Sequence, residues 1–139
     1  MRASAGQRYP LSSGHSLIKP EEGYLRVSEQ GDPASAEEMT RYYEAIDRAL
    51  GVGGYRALLI QAQRQAPDAA SPKWVPIRAA RWQALSNSRA ERIAVLVEDD
   101  LAVARVQMTA LSMKAPVRAF RDETDALHWL RPAMRLGER

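Results

Sequence analysis

Residues 91–130, ERIAVLVEDDLAVARVQMTALSMKAPVRAFRDETDALHWL, hold two short apolar runs, each followed by an acidic residue and a helical pattern. The first run, residues 93–97, is too short for a globular helix and rich in β-branched residues, which predicts a strand buried on both faces. Asp99 and Asp100 follow it, suited to cap the free N–H groups of a helix over 101–113. Pro116 ends that helix. Residues 117–120 then predict a second strand, and Asp122 starts a last helix that runs through Trp129 and Leu130 to Pro132. A β-α-β-α order of this kind calls for a parallel sheet.

The chain has 139 residues, 45% hydrophobic and 27% charged, enough to bury the core of one domain. It has no cysteine, which excludes disulfides, thiolate metal sites and cysteine nucleophiles. No apolar leader opens it and no run approaches bilayer length, so a soluble, cytoplasmic protein is expected. The net charge is +3, with basic residues gathered over 73–92 and 131–139. A nucleic-acid binder would show a denser basic stripe with interleaved aromatics, so nucleic acid is not the expected partner.

Residues 1–14 read as a flexible N-terminal segment, 15–131 as a single domain and 132–139 as a basic tail. Residues 16–19 and 23–28 alternate about Pro20-Glu21-Glu22-Gly23 and predict an antiparallel hairpin, with Leu17, Tyr24 and either Leu25 or Val27 on its buried side. Ser35 and Glu38 fit a capping box. Beyond them Met39, Tyr42, Tyr43, Ile46, Ala49 and Leu50 share one helical face, and Gly51 is placed to end the helix in a left-handed conformation. A strand over 55–62 follows. Gly51, Gly53 and Gly54 lie between a helix and the next strand, the wrong end for a phosphate-cradling loop. Residues 63–73 form a long connection at the C-terminal end of a parallel strand, where sites tend to lie. A helix then starts near Val75 or Pro76 and runs to Ser86. The full order is ββαβαβαβα.

Two resemblances compete for these residues. VLVEDDLAVARVQMTAL followed by VRAFRDETDALHWL looks like the beginning of a response-regulator receiver domain, in which paired acids hold magnesium; only nine residues remain after Leu130, too few for the strands such a domain still needs. The whole stretch from Leu17 to Leu130 resembles instead the SpoIIAA-like proteins, relatives of the STAS domain of anti-sigma factor antagonists. The ending carries the resemblance: Val117, Phe120, Asp122, Ala126, Leu127, Trp129 and Leu130. It implies an α/β fold, a mixed sheet of four to five strands with an antiparallel first hairpin and later parallel strands, and about four helices. It also implies a regulatory binding module of bacterial signalling rather than a catalyst. Antagonists of this class are switched by phosphorylation of a serine at the start of the second helix. Here Gln61-Ala62-Gln63-Arg64 replaces the usual Asp-Ser pair, and Ser71 is the only serine or threonine between Gly54 and Ser86. Ser71 is therefore the one candidate phosphoswitch, and a turn residue before Pro72 is its plainer reading.

No catalytic constellation is evident. His15 and His128 lack partners at metal-ligand spacing, no G-x-S-x-G occurs, and no metal or other cofactor is implied. Two surfaces exceed what a bland fold needs. The helix over 101–113 carries two apolar stripes, one with Leu101, Ala104, Met108 and Leu111, the other with Val103, Val106, Ala110 and Met113, where a sheet-covering helix needs one. If neighbouring helices leave the second stripe bare, a homodimer or a partner surface follows. The other surface is Lys73, Trp74, Arg78, Arg81, Trp82 and Arg89, cations with indoles that suit an acidic protein face or an anionic ligand. The expected partner is a protein, bound through the loop over 63–73 and the helix that follows it. The alternative is a carrier of a small apolar or anionic, lipid-like ligand, with Trp74, Trp82, Met108 and Met113 furnishing the pocket.

Overall fold

A computed structural model describes residues 6–62 and 71–134. The elements are β1 (Gln7–Leu11), β2 (Gly14–Pro20), β3 (Leu25–Gln30), α1 (Ala36–Gly53), β4 (Ala57–Gln61), α2 (Trp74–Ser86), β5 (Arg92–Leu96), α3 (Asp100–Met113), β6 (Val117–Phe120) and α4 (Glu123–Leu130), with a 3-10 turn over Arg131–Ala133. The six strands form one sheet in the order of the chain. β1, β2 and β3 pair antiparallel, and β3 to β6 pair parallel.

The expected mixed α/β architecture is present, with one strand more than the sequence suggested. Residues 7–11, read as part of a flexible segment, pair along β2 as an edge strand. Their alternation is hard to see because Pro10 interrupts it, and proline is tolerated at an edge. The hairpin faces also differ in part from expectation. Ser16 and Ile18 are the inward residues of β2, while Leu17 is half-buried on the opposite face. A one-residue change of phase exchanges the two faces of a strand. Tyr24, Leu25 and Val27 are all buried.

Each face of the sheet has its own core. On one, Ile18, Leu25, Val27, Leu58, Ile60 and Ile93 meet Met39, Tyr42, Ile46 and Leu50 of α1, Ile77 and Leu85 of α2, and Ala110 of α3. On the other, Ala57, Leu59 and Ala94 meet Ala126 and Leu130 of α4, with Tyr24 and Ala133 at the margin. β4 is buried along Ala57–Ile60 because helices cover it on both sides, which is why its sequence reads as continuous rather than alternating.

Helix boundaries follow local chemistry. Ser35 Oγ accepts from Glu38 N at 3.1 Å, as a capping box requires, but the reciprocal half is redirected. Glu38 accepts instead from Ala34 N, from Ser12 N and from the Ser12 hydroxyl, which ties the β1–β2 turn to the start of α1. Gly51 does not end α1. The left-handed residue is Gly54, at φ 70°, and its N–H returns to the carbonyls of Gly51 and Leu50. α2 begins at Trp74, one residue before the expected start.

Candidate binding surfaces

The acids that could suggest a metal site are engaged in structure. Asp99 Oδ1 accepts from Ala102 N at 2.8 Å and caps α3, and Asp100 pairs with Arg121 at 3.2 Å. Asp122 caps α4 through Asp125 N at 3.0 Å. Among the described residues no group of three or more histidines and acids is arranged to hold a metal ion. His128 is exposed on α4.

The cationic surface on α2 is divided by the structure. Arg81 does not belong to it. Its guanidinium turns inward and donates to Glu29 through two nitrogens, at 3.0 and 3.1 Å, and to the Tyr43 hydroxyl at 2.9 Å. The Glu29 side chain is 5% exposed and that of Arg81 25%. Tyr42 donates to the same carboxylate at 3.0 Å, leaving the Ser16 hydroxyl to donate to Tyr42 at 2.6 Å. Burial works against charge on Arg81, but the Glu29 carboxylate outweighs it and holds the guanidinium above its ordinary pKa. Burial, with the Glu29 charge added, pushes the Tyr42 phenol far up, so it remains a neutral donor. The network joins β2, β3, α1 and α2, and it is internal rather than a docking face.

What is left at the surface is the start of α2. Lys73 and Arg78 are exposed, with Val75 between them, and Lys73 Nζ lies 5.2 Å from the centre of the Trp74 ring. Trp74 and Trp82 are half-buried against the core. Ser71 lies in the turn before α2, its carbonyl accepting from Trp74 N at 3.1 Å and its hydroxyl 3.5 Å from Lys73 N, the geometry of a turn residue. Arg89 sits apart, paired with Asp47 at 3.1 Å. Residues 63–70 of the long connection lie outside the described residues.

α3 answers the question its two stripes posed. Ala110 is buried, and Val103 and Val106 are half-buried toward the sheet. The second stripe faces away from the molecule: Leu101 is 60% exposed, Met108 72% and Leu111 81%, with Ala104 exposed between them. Met113 is 37% exposed at the helix end. Neighbouring helices do not cover this face. Gln107, between the stripes, accepts from Ala119 N at 2.8 Å and so occupies an amide on the open edge of β6.

The four residues proposed for a carrier pocket do not converge. Met108 and Met113 point outward on α3, while the two tryptophans lie on α2, whose main helical neighbour is α1. A cavity of about 320 Å³ lies elsewhere, between α1 and α2, lined by Ile46, Leu58 and Leu85 together with the polar Asp47, Asn87 and Ser88.

Taken together, the fold is that of a small mixed α/β domain with helices on both faces of its sheet and exposed apolar side chains on α3. The chain belongs to the SpoIIAA-like family, whose pattern matches residues 25–131. A crystal structure of an uncharacterized protein from Shewanella loihica PV-4, with a SpoIIAA-like fold, superposes with a TM-score of 0.52 at 18% identity, covering 93% of this chain and 99% of that one. At this identity the likeness speaks for the fold alone. The yeast mitochondrial Holliday junction resolvase Ydc2 aligns over 96% of this chain and 68% of its own, at 9% identity and a TM-score of 0.29, too low to bear on fold or function. No curated protein matches the chain.

The ending that carried the family resemblance has a structural role. Phe120 and Trp129 pack with ring centres 5.7 Å apart, Arg92 lies 4.9 Å from the Trp129 ring centre and donates to the Trp129 carbonyl at 2.6 Å, and Ala126 and Leu130 are fully buried. These residues hold α4 on the sheet.

Proposed function

We propose that this protein is a non-enzymatic, STAS-like interaction module of bacterial signalling that works in the cytoplasm and binds another protein through α3. The observation that supports this most is the outward stripe of Leu101, Met108 and Leu111 on a helix already packed by its other side. Large apolar side chains left contiguous on a surface mark an interaction site more often than single scattered ones do. Methionine adds the adaptability that suits an interface. Asp99, Asp122 and Arg81 are used as helix caps and as an internal tie, which is consistent with a module that binds rather than catalyses.

Capture from the native cell tests this reading. A protein recovered with the wild-type chain is expected to be lost with Leu111→Glu and retained with Val52→Glu, which places a charge on an equally exposed position of α1. Equal recovery with both variants removes α3 as the contact.

A second reading, carriage of a small apolar or anionic ligand, draws support from the cavity between α1 and α2, whose size is at the lower end for ligand sites. Native mass spectrometry of freshly purified protein separates the two. A co-purifying small molecule favours the carrier, and a bare chain mass counts against it.

A further inference from the structure

We infer that α3 pairs with the α3 of a second copy of this chain, antiparallel, about a two-fold axis that crosses the outward face midway between Ala104 and Met108; this rests on the interaction-module reading and names the partner. The spacing of the outward residues is the first reason. Leu101, Ala104, Met108 and Leu111 recur at intervals of three, four and three, the seam of a helix that packs along its length on another helix. A helix bound side-on to a sheet needs no such seam on its outer face, and α3 has its sheet-facing stripe already in Val103, Val106 and Ala110.

Self-complementarity is the second reason. Laid antiparallel on itself, the stripe sets Leu101 opposite Leu111 of the second copy and Ala104 opposite Met108, so that leucine meets leucine at the ends and the small Ala104 leaves room for the longer Met108. The same register brings the acidic start of α3, with Asp100 and Glu98, against the basic end marked by Lys114. It also opposes the two helix dipoles favourably. A parallel pairing would set acids on acids and Met108 on Met108. Because the same patch serves both copies, the contact closes at two and does not propagate.

Size sets its strength. A helix of 14 residues is about 21 Å long at about 1.5 Å per residue, too short to supply the roughly 800 Å² per partner of a standard interface. Arg105 of each copy flanks the axis, and their mutual repulsion weakens the pair further at low salt. A dimer that forms and dissociates with concentration is the expected state.

Sedimentation equilibrium of the full chain across the micromolar to millimolar range tests this. The mass is expected to climb from one chain toward two, and Leu111→Glu is expected to stay at one chain throughout with an unchanged circular dichroism spectrum. Since the chain has no cysteine, single cysteines report the register. Mixed Ala104→Cys and Met108→Cys proteins should give the mixed disulfide under mild oxidation in preference to either self-linked species. Self-linked Met108→Cys as the main product overturns the antiparallel register. A single-chain mass at every concentration overturns the dimer, and co-sedimentation of that monomer with anionic phosphatidylglycerol vesicles, lost in Leu111→Glu, would give the stripe to a membrane instead. If the chain is monomeric but a captured partner is lost with Leu111→Glu, the self-pairing fails while the interaction-module reading stands; if neither contact depends on Leu111, both fail.

Discussion

Arg81 shows how a single side chain can change its meaning between sequence and structure. In the sequence it reads as one of several cations beside tryptophans; in the fold it is the partner that lets Glu29 be buried. The signal for this was in β3, where Leu25, Val27 and Glu29 alternate inward and so place a carboxylate in the core, but nothing in the sequence says which cation reaches it. Removing one partner of a buried pair leaves the other charge uncompensated, at a cost of about 3–5 kcal/mol. The arginine here keeps some contact with solvent, and the Tyr42 hydroxyl still donates to Glu29, so the lower part of that range applies. Arg81→Leu is therefore expected to lower the urea unfolding free energy by about 3 kcal/mol. Arg78→Leu, at an exposed position on the same helix, should change it by less than about 0.5 kcal/mol. Equal effects of the two would mean that the internal tie contributes no more than a surface cation.

At the scale of elements, most of the chain was legible because three of the four α-helices begin on a side chain that marks them: Ser35, Asp99 and Asp122 all accept the backbone bond expected of them. α2 lacks such a cap, and its start was displaced by a residue. The end of α1 was misplaced for a different reason. Three glycines lie within four residues, and sequence alone cannot say which adopts positive φ. Gly54 does, with open space around its Cα, whereas Gly51 is still helical and lies beneath the guanidinium of Arg89. The two positions should therefore respond oppositely to alanine. Gly54→Ala forces a Cβ into the left-handed region at a cost of roughly 1–2 kcal/mol. Gly51→Ala gains up to about 1 kcal/mol of helix propensity, offset in part as the flexible Arg89 tip moves away from Asp47, an exposed pair of small value. Thermal or urea denaturation of the two variants decides it: destabilisation by Gly51→Ala exceeding that by Gly54→Ala would restore the sequence-based assignment of the helix end.

For the whole molecule, the parallel half was readable from residues 91–130 because strand and helix alternate there with clear stops, and the α3 stripe was visible as surplus. Whether that surplus was covered was not readable, since it depends on where α2 lies relative to α3, a matter of tertiary packing. The antiparallel edge was the least legible part. β1 is short, carries a proline and holds its place through long-range contacts: Leu11 is buried, Tyr9 packs on Tyr42 with ring centres 5.4 Å apart, and Ser12 binds Glu38 across 26 residues of chain. Deleting residues 1–12 removes all three contacts and uncovers β2. Loss of Leu11 burial alone is worth roughly 1.5–3 kcal/mol, so the urea midpoint should fall well outside error, where a flexible segment would leave it unchanged. The deletion also has a signature in pH. The Ser12 hydroxyl bond, aided by backbone N–H groups, holds the Glu38 carboxyl below its ordinary value of 4.5 in the folded chain. A carboxyl depressed on folding adds stability that is complete above its unfolded pKa and is lost as pH falls through the folded one. The intact chain should thus lose stability as pH drops from about 4.5, and the truncated chain, in which Glu38 retains only the Ala34 N–H of those anchors, should lose less over the same window. Parallel acid limbs in the two proteins, together with an unchanged midpoint, would show that β1 and its turn contribute nothing to the stability of the sheet.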